Sequence, residues 1–178
     1  MNIFRTDNNP AKAAEYLCDK HVVKMIVESC QLLCTALHVH NYHPDWAYKA
    51  THINHPSAIW CRQSSENYTW LCQHVDAMNQ QYTLRYHKQH ACSSLIDRLK
   101  NSISYIPAGI ETPMMEAIPV NFKSMNLSSI MKYRIYIAAA KFRFARWKYT
   151  QEPDWRNEIR TYVQKNNLET DNKGSKNI

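Results

Sequence analysis

From Ala11 to His38 the apolar positions recur at spacings of three and four, and neither glycine nor proline interrupts them. That pattern predicts one long helix. Asn8-Asn9-Pro10 supplies its start, an Asn cap followed by proline in the first turn, and residues 2–6 are expected to form a short extended lead-in. A loop follows from Val39 to Pro56, with His40, His43, His52 and His55 in it. A second long helix is expected from Ser57 to Tyr86, where Trp60, Ser64, Asn67, Leu71, Val75, Met78 and Tyr82 form one stripe opposite Arg62, Glu66, Gln73 and Gln80. A shorter helix is expected over Ala91–Ser102. Ile106 to Pro119 holds three prolines and a glycine and is expected to be irregular yet packed onto the body. The last long helix is read from Leu127 to Trp147. It carries two apolar faces with basic residues in the seams, as for a helix between two neighbours. Pro153-Asp154-Trp155 begins a final short one.

These elements predict an all-α fold. We expect a single helical domain over residues 1–165, three to four long packed helices behind a short N-terminal extended segment, and a polar, disordered tail over 166–178. The length of 178 residues suits one domain with a sizeable core. The 22 Lys+Arg exceed the 15 Asp+Glu, for a formal charge of +7, which favours a polyanionic partner, nucleic acid first. The two glycines, Gly109 and Gly174, exclude a glycine-rich phosphate loop and a dinucleotide fingerprint. The N-terminal residues have no signal-peptide core, and no later run is read as a membrane span, so no membrane partner is expected. The expected location is the cytoplasm, with the six cysteines reduced and buried as small hydrophobes.

Candidate chemistry concentrates in the first helix. His21 and Glu28 stand seven residues apart with Lys24 between them, on one stripe of an otherwise apolar helix. A carboxylate beside cationic groups can act as a general acid or base, or stabilise the positive charge that develops on a sugar as an N-glycosidic bond breaks. The same three residues also read as a buried ion pair that only fixes packing. Asn54-His55-Pro56-Ser57, with Arg62, crowds the start of the second helix, where free N–H groups bind anions; capping alone also accounts for Ser57. The helix end, with Arg143, Arg146, Trp147 and Lys148, mixes cations for phosphates with aromatic platforms for bases, and reads equally as a core helix with solvated charges. The histidines and cysteines lack the paired knuckles of structural zinc sites, so no metal or other cofactor is expected.

The order of these segments resembles the phage pyrimidine-dimer DNA glycosylase/AP-lyase family, the endonuclease V type. Asp19-Lys20-His21 through Glu28 matches that family's spacing of a His and the catalytic Glu. Ile53 to His87 is similar to its long aromatic-rich helix, and Trp147-Lys148-Tyr149 is a loose counterpart of its C-terminal DNA-contacting segment. The Asp-Lys-His and Asn-His-Pro elements also resemble a wider set of phage-encoded proteins. The family's nucleophile is the α-amine of a threonine exposed by methionine removal. Here residue 2 is Asn, and arginines that flank the family's glutamate have no counterpart. Schiff-base lyase chemistry would then need its amine from Met1, Lys20 or Lys24.

The resemblance implies a DNA base-processing protein, an N-glycosylase for a damaged or modified base. Glu28 would be its catalytic carboxylate and His21 its orienting or phosphate-contacting neighbour. Lys24, Arg62, Asn54, His55 and the basic residues of the last long helix would hold DNA, its backbone and a flipped base. Two other readings stay open: a non-catalytic DNA- or partner-binding protein, and a transferase or hydrolase acting on nucleotides or modified bases.

Overall fold

The computed structural model describes residues 1–168, and among these the regular elements are all helical. In chain order they are α1 (Pro10–Glu15), α2 (Asp19–Val39), α3 (Pro56–Gln63), α4 (Ser65–Tyr86), α5 (Ser93–Asn101), α6 (Val120–Lys123), α7 (Ser129–Lys141) and α8 (Arg156–Lys165). A 3-10 turn over Ile103–Tyr105 follows α5. The all-α expectation holds; the long helices differ in where they stop.

The helix expected over Ala11–His38 is two, broken at Tyr16-Leu17-Cys18. The break is stable because its carbonyls find partners outside the helix. The fully buried Arg85 donates to Glu15 O at 3.1 Å and to Leu17 O at 2.8 Å, and Trp147 Nε1–H donates to Tyr16 O at 3.1 Å. The helix expected over Ser57–Tyr86 is likewise two. Ser64 is extended (φ −152°, ψ 157°), and its side chain caps α4 by accepting from Asn67 N. Pro107 O and Gly109 O accept from Ser65 N and Glu66 N, so the 106–112 loop docks into the break. A Cβ on Gly109 would meet Ser64 Cβ at 3.2 Å, which explains glycine at this close approach. The helix expected to run to Trp147 ends at Lys141, and a tight turn follows.

α2 is the central element, packed by α3, α4 and α5. It is long and apolar enough to cross a membrane, by length and composition, which corrects the sequence reading. A mostly buried core helix passes the same test, and 61% of its apolar window is buried inside the protein. All six cysteines are free and buried.

The N-terminal segment carries no regular hydrogen-bonded element over residues 1–6, and it is threaded through the molecule. Ile3 is fully buried, Trp70 Nε1–H donates to Asn8 O, and Arg134 Nε–H donates to Thr6 O. The Arg5 guanidinium lies 4.6 Å over the Trp70 ring and pairs with Glu111 at 2.7 Å. At the other end, Leu168 N–H closes onto Val163 O and Leu168 packs against the core; residues 169–178, most of the expected tail, lie outside the described residues.

Candidate active-site cleft

A cleft of about 850 Å³ opens where α2, the N-terminal segment, the 52–56 loop and the chain around α6 and α7 meet. α2 contributes Lys20, Lys24 and Glu28, at four-residue intervals on one row, with His21 and Met25 beside them. The helical period therefore aims these side chains into one concavity, while the opposite face of α2, with Ile26, Leu33 and Leu37, fills the core.

Glu28 is held from two sides. Lys24 Nζ lies 3.1 Å from Oε1, and the backbone N–H of Asn2 donates to Oε2 at 3.2 Å; the amino group of Met1 stands 3.9 Å from the same oxygen. The Asn2 side chain fixes this approach. Its Oδ1 accepts from Ile3 N and Phe4 N, and its Nδ2 donates to Ala117 O at 2.7 Å. Ala117 N–H in turn donates to the buried Tyr133 hydroxyl at 3.0 Å. Phe4 sits in the left-handed region (φ 54°), a conformation that a bulky residue adopts only where its surroundings enforce it.

His21 is buried between two rings, Phe4 at 4.9 Å and Phe144 at 5.8 Å. Burial pushes its pKa down to about 4; the ammonium groups of Lys141 and Lys24 push the same way, and Glu28 opposes them. The ring is therefore neutral near pH 7. On the facing loop, His55 caps α3, its Nδ1 accepting from Ser57 N at 3.2 Å. Burial lowers its pKa, and the Met1 amine and His52 add to that. With Nδ1 accepting, the neutral ring carries its proton on Nε2 and can donate from there. Asn54 is exposed and lines the cleft beside it.

Among the described lining residues Glu28 is the one carboxylate, against Lys20, Lys24, Lys123 and Lys141. A single acid in a basic, partly apolar concavity can stabilise a cation that forms transiently within a bound polyanion.

The fold thus brings His21, Lys24, Glu28, Asn54 and His55 to one cleft. The remaining predicted residues lie elsewhere. Arg62 donates to Ile53 O, and its own carbonyl accepts from His40 Nε2 at 3.0 Å, so it braces the 52–56 loop from outside the lining. Trp147 is buried, 6.0 Å edge-on to Phe142 and 5.4 Å from the Arg156 guanidinium, which corrects its reading as a side chain that reaches a partner. Arg143, Arg146 and Lys148 are exposed on the turn after α7 and are not among the lining residues; Lys148 N–H donates to Asp19 Oδ2. His38, in the last turn of α2, and the loop His43 share an Nδ1···Nδ1 hydrogen bond at 2.8 Å. No group of three His, Cys, Asp or Glu among the described residues is placed to hold a metal.

Sequence reasoning missed Asn2, Phe4, Lys123 and Tyr136 as site residues. The polar Asn2 before the apolar Ile3-Phe4 pair is a faint signal for the first; nothing local marks the others, since they reach the cleft from distant segments.

No curated protein and no solved structure matches the chain. A family model described as pyrimidine dimer DNA glycosylase matches residues 1–94, the segment that supplies α2, the Asn2 clamp and the 52–56 loop. With that match over more than half of its length, the chain belongs to the pyrimidine dimer DNA glycosylase family.

Proposed function

We propose that this protein hydrolyses the N-glycosidic bond of a damaged or modified base in DNA, with Glu28 as the catalytic carboxylate. The observation that carries the reading is the setting of Glu28. It stands in a cleft whose other charged lining groups are cations, four lysines and the Met1 amine, and each of its oxygens is oriented by a donor, Lys24 on one and the Asn2 N–H on the other.

As the bond to the base lengthens, positive charge grows on the sugar, and a fixed carboxylate beside C1′ stabilises it. The same group orients the water that attacks C1′ and accepts its proton, while the electron pair of the broken bond leaves with the base. His21, neutral and wedged between Phe4 and Phe144, acts as a positioning residue for the floor beneath Glu28. Asn54 and His55 offer uncharged donors to phosphate oxygens, and the lysines offer charged ones. The exposed Arg143, Arg146 and Lys148 extend the positive surface along which a duplex would lie.

The Glu28→Gln protein tests this. It should release no base from the true substrate, a loss of at least about 1,000-fold, while binding the same DNA within a few-fold of the parent. Full activity in that variant would sink the mechanism. DNA binding without bond cleavage by the parent, across damaged and modified substrates, would leave a binding protein instead.

A further inference from the structure

Between α2 and α3 the chain carries an exposed apolar side chain to the rim of the cleft. Ile53 is 44% exposed and stands between the exposed polar residues His52 and Asn54. On one side it lines the cleft that holds Glu28. On the other it lines a second, more open depression of about 500 Å³, shared with His38, His43 and Lys49. Ile53 is therefore the crest of a ridge between two concavities. A single exposed isoleucine is ordinary on a protein surface. One held stiffly on such a crest is not.

The ridge is braced from several directions. The hydroxyl of the buried Thr35, on α2, accepts from Thr51 N at 3.1 Å and donates to Thr51 O at 3.2 Å. The Arg62 guanidinium donates to Ile53 O from α3, and His55 N–H closes the turn onto His52 O at 2.9 Å. His52 sits in the left-handed region (φ 50°), where a residue with a Cβ stays only if its surroundings hold it. These bonds fix the backbone of the loop and leave the Ile53 side chain uncovered.

What covers it follows from the charges beside it. The cleft gathers four lysines and the Met1 amine around one carboxylate, which suits a polyanion. DNA, the substrate that the family's activity implies, brings phosphates for those cations and apolar base faces for an aliphatic side chain. Aliphatic wedges enter duplexes between base steps and partly unstack them, replacing lost base contacts with their own. The cost of unstacking presses back on the wedge, so the backbone behind it must not yield.

We propose that Ile53 is such a wedge. Its side chain enters the base stack of bound double-stranded DNA at the rim of the cleft, and the ridge parts the neighbouring nucleotides. The proposal rests on the DNA-binding half of the proposed function and is independent of the chemistry at Glu28.

The test uses the full chain and a short duplex in which 2-aminopurine flanks a tetrahydrofuran abasic analogue, compared with the same strand alone. Binding of the parent should raise the 2-aminopurine fluorescence about twofold or more as the stack opens. Ile53→Ser should abolish that rise and weaken duplex binding about tenfold, with single-strand affinity kept within about twofold and the salt slope unchanged, because no phosphate contact is removed. Ile53→Leu should recover most of the rise. Leu84→Ser, which alters an exposed apolar residue outside the cleft lining, should match the parent. An Ile53→Ser protein of parental thermal stability that opens the stack and binds the duplex as the parent does would overturn the wedge. So would an equal loss of affinity for the single strand. A parent that binds no duplex would sink the wedge and the glycosylase reading together. Base release by Glu28→Gln at the parental rate, beside a lost fluorescence rise in Ile53→Ser, would keep the wedge and reject only the catalytic role of Glu28.

Discussion

Asn2 makes more of the site than its size suggests. Its backbone N–H meets Glu28, its Oδ1 satisfies two buried N–H groups, and its Nδ2 ties the N-terminus to Ala117 at the far wall. Those bonds hold Phe4 at φ 54°, and Phe4 in turn forms one side of the His21 slot. An alanine at position 2 keeps the backbone bond to Glu28 but leaves the Ile3 and Phe4 N–H groups and the Ala117 carbonyl without that partner. Buried groups stranded in this way cost about 1–3 kcal/mol. We expect Asn2→Ala to lose stability in that range by urea unfolding and to lower kcat more than KM, because Glu28 is then less firmly placed. An unfolding midpoint and kcat both equal to the parent's would show that the clamp is dispensable.

At the scale of elements, what matters is where helices are interrupted. The α1–α2 break frees carbonyls that Arg85 gathers from α4, and the same guanidinium pairs with Asp19 at the start of α2 at 3.2 Å. Asp19 is also well placed there, an acid in the first turn of a helix. Its other oxygen accepts from Lys148 N–H, so this one junction ties α2, α4 and the turn after α7 together. Arg85→Met would remove the charge from inside the protein and leave Asp19 and two carbonyls without it. Breaking a buried pair on one side costs about 3–5 kcal/mol. That loss should appear as a lower urea midpoint, and Arg85→Lys should recover little of it, since an ammonium lacks the planar fork that reaches Glu15, Leu17, Asp19 and Gln81 together. A change below about 1 kcal/mol in Arg85→Met would rule out this account of the break.

For the whole molecule, two buried histidines set a pH dependence of stability. Burial lowers the pKa of His21 and of His74 to about 4, below the ordinary value of 6.5. Between those values the unfolded chain binds protons that the folded chain refuses, so unfolding becomes more favourable as pH falls. The stability these neutral rings contribute is complete above about pH 6.5 and is lost progressively toward pH 4, on the order of 3 kcal/mol for each ring over the full window. Urea unfolding at pH 7 and pH 5 should show a clear drop, smaller in His74→Gln. A flat profile over that interval would contradict the burial of both rings.

The helical period was readable from residues alone, because an apolar stripe at spacings of three and four has few other uses; it placed α2 and α4 and set His21, Lys24 and Glu28 on one side of α2. The resemblance of the first 90 or so residues identified the family for the same reason: its residues lie close together along the chain. Helix ends were less legible. Tyr16-Leu17-Cys18 is as helical in pattern as its neighbours, and only Arg85 and Trp147, from 68 and 131 residues along the chain in their contacts with Leu17 and Tyr16, give its carbonyls somewhere else to bond. Trp147 looked like a platform for a base because its neighbours are cationic; packing against Phe142 and Arg156 made it core. The opposite wall of the cleft was decided by tertiary structure alone. Lys123, Tyr136 and Lys141 share a cleft with Glu28 only because α6 and α7 pack beside the N-terminal segment, and no local pattern records a juxtaposition made across about a hundred residues. Sequence determined where the main helical stretches lie and which polar residues share one face of α2. The fold decided what that face looks onto, because the energy of a cleft lies in non-local contacts and its charge in the residues they bring together.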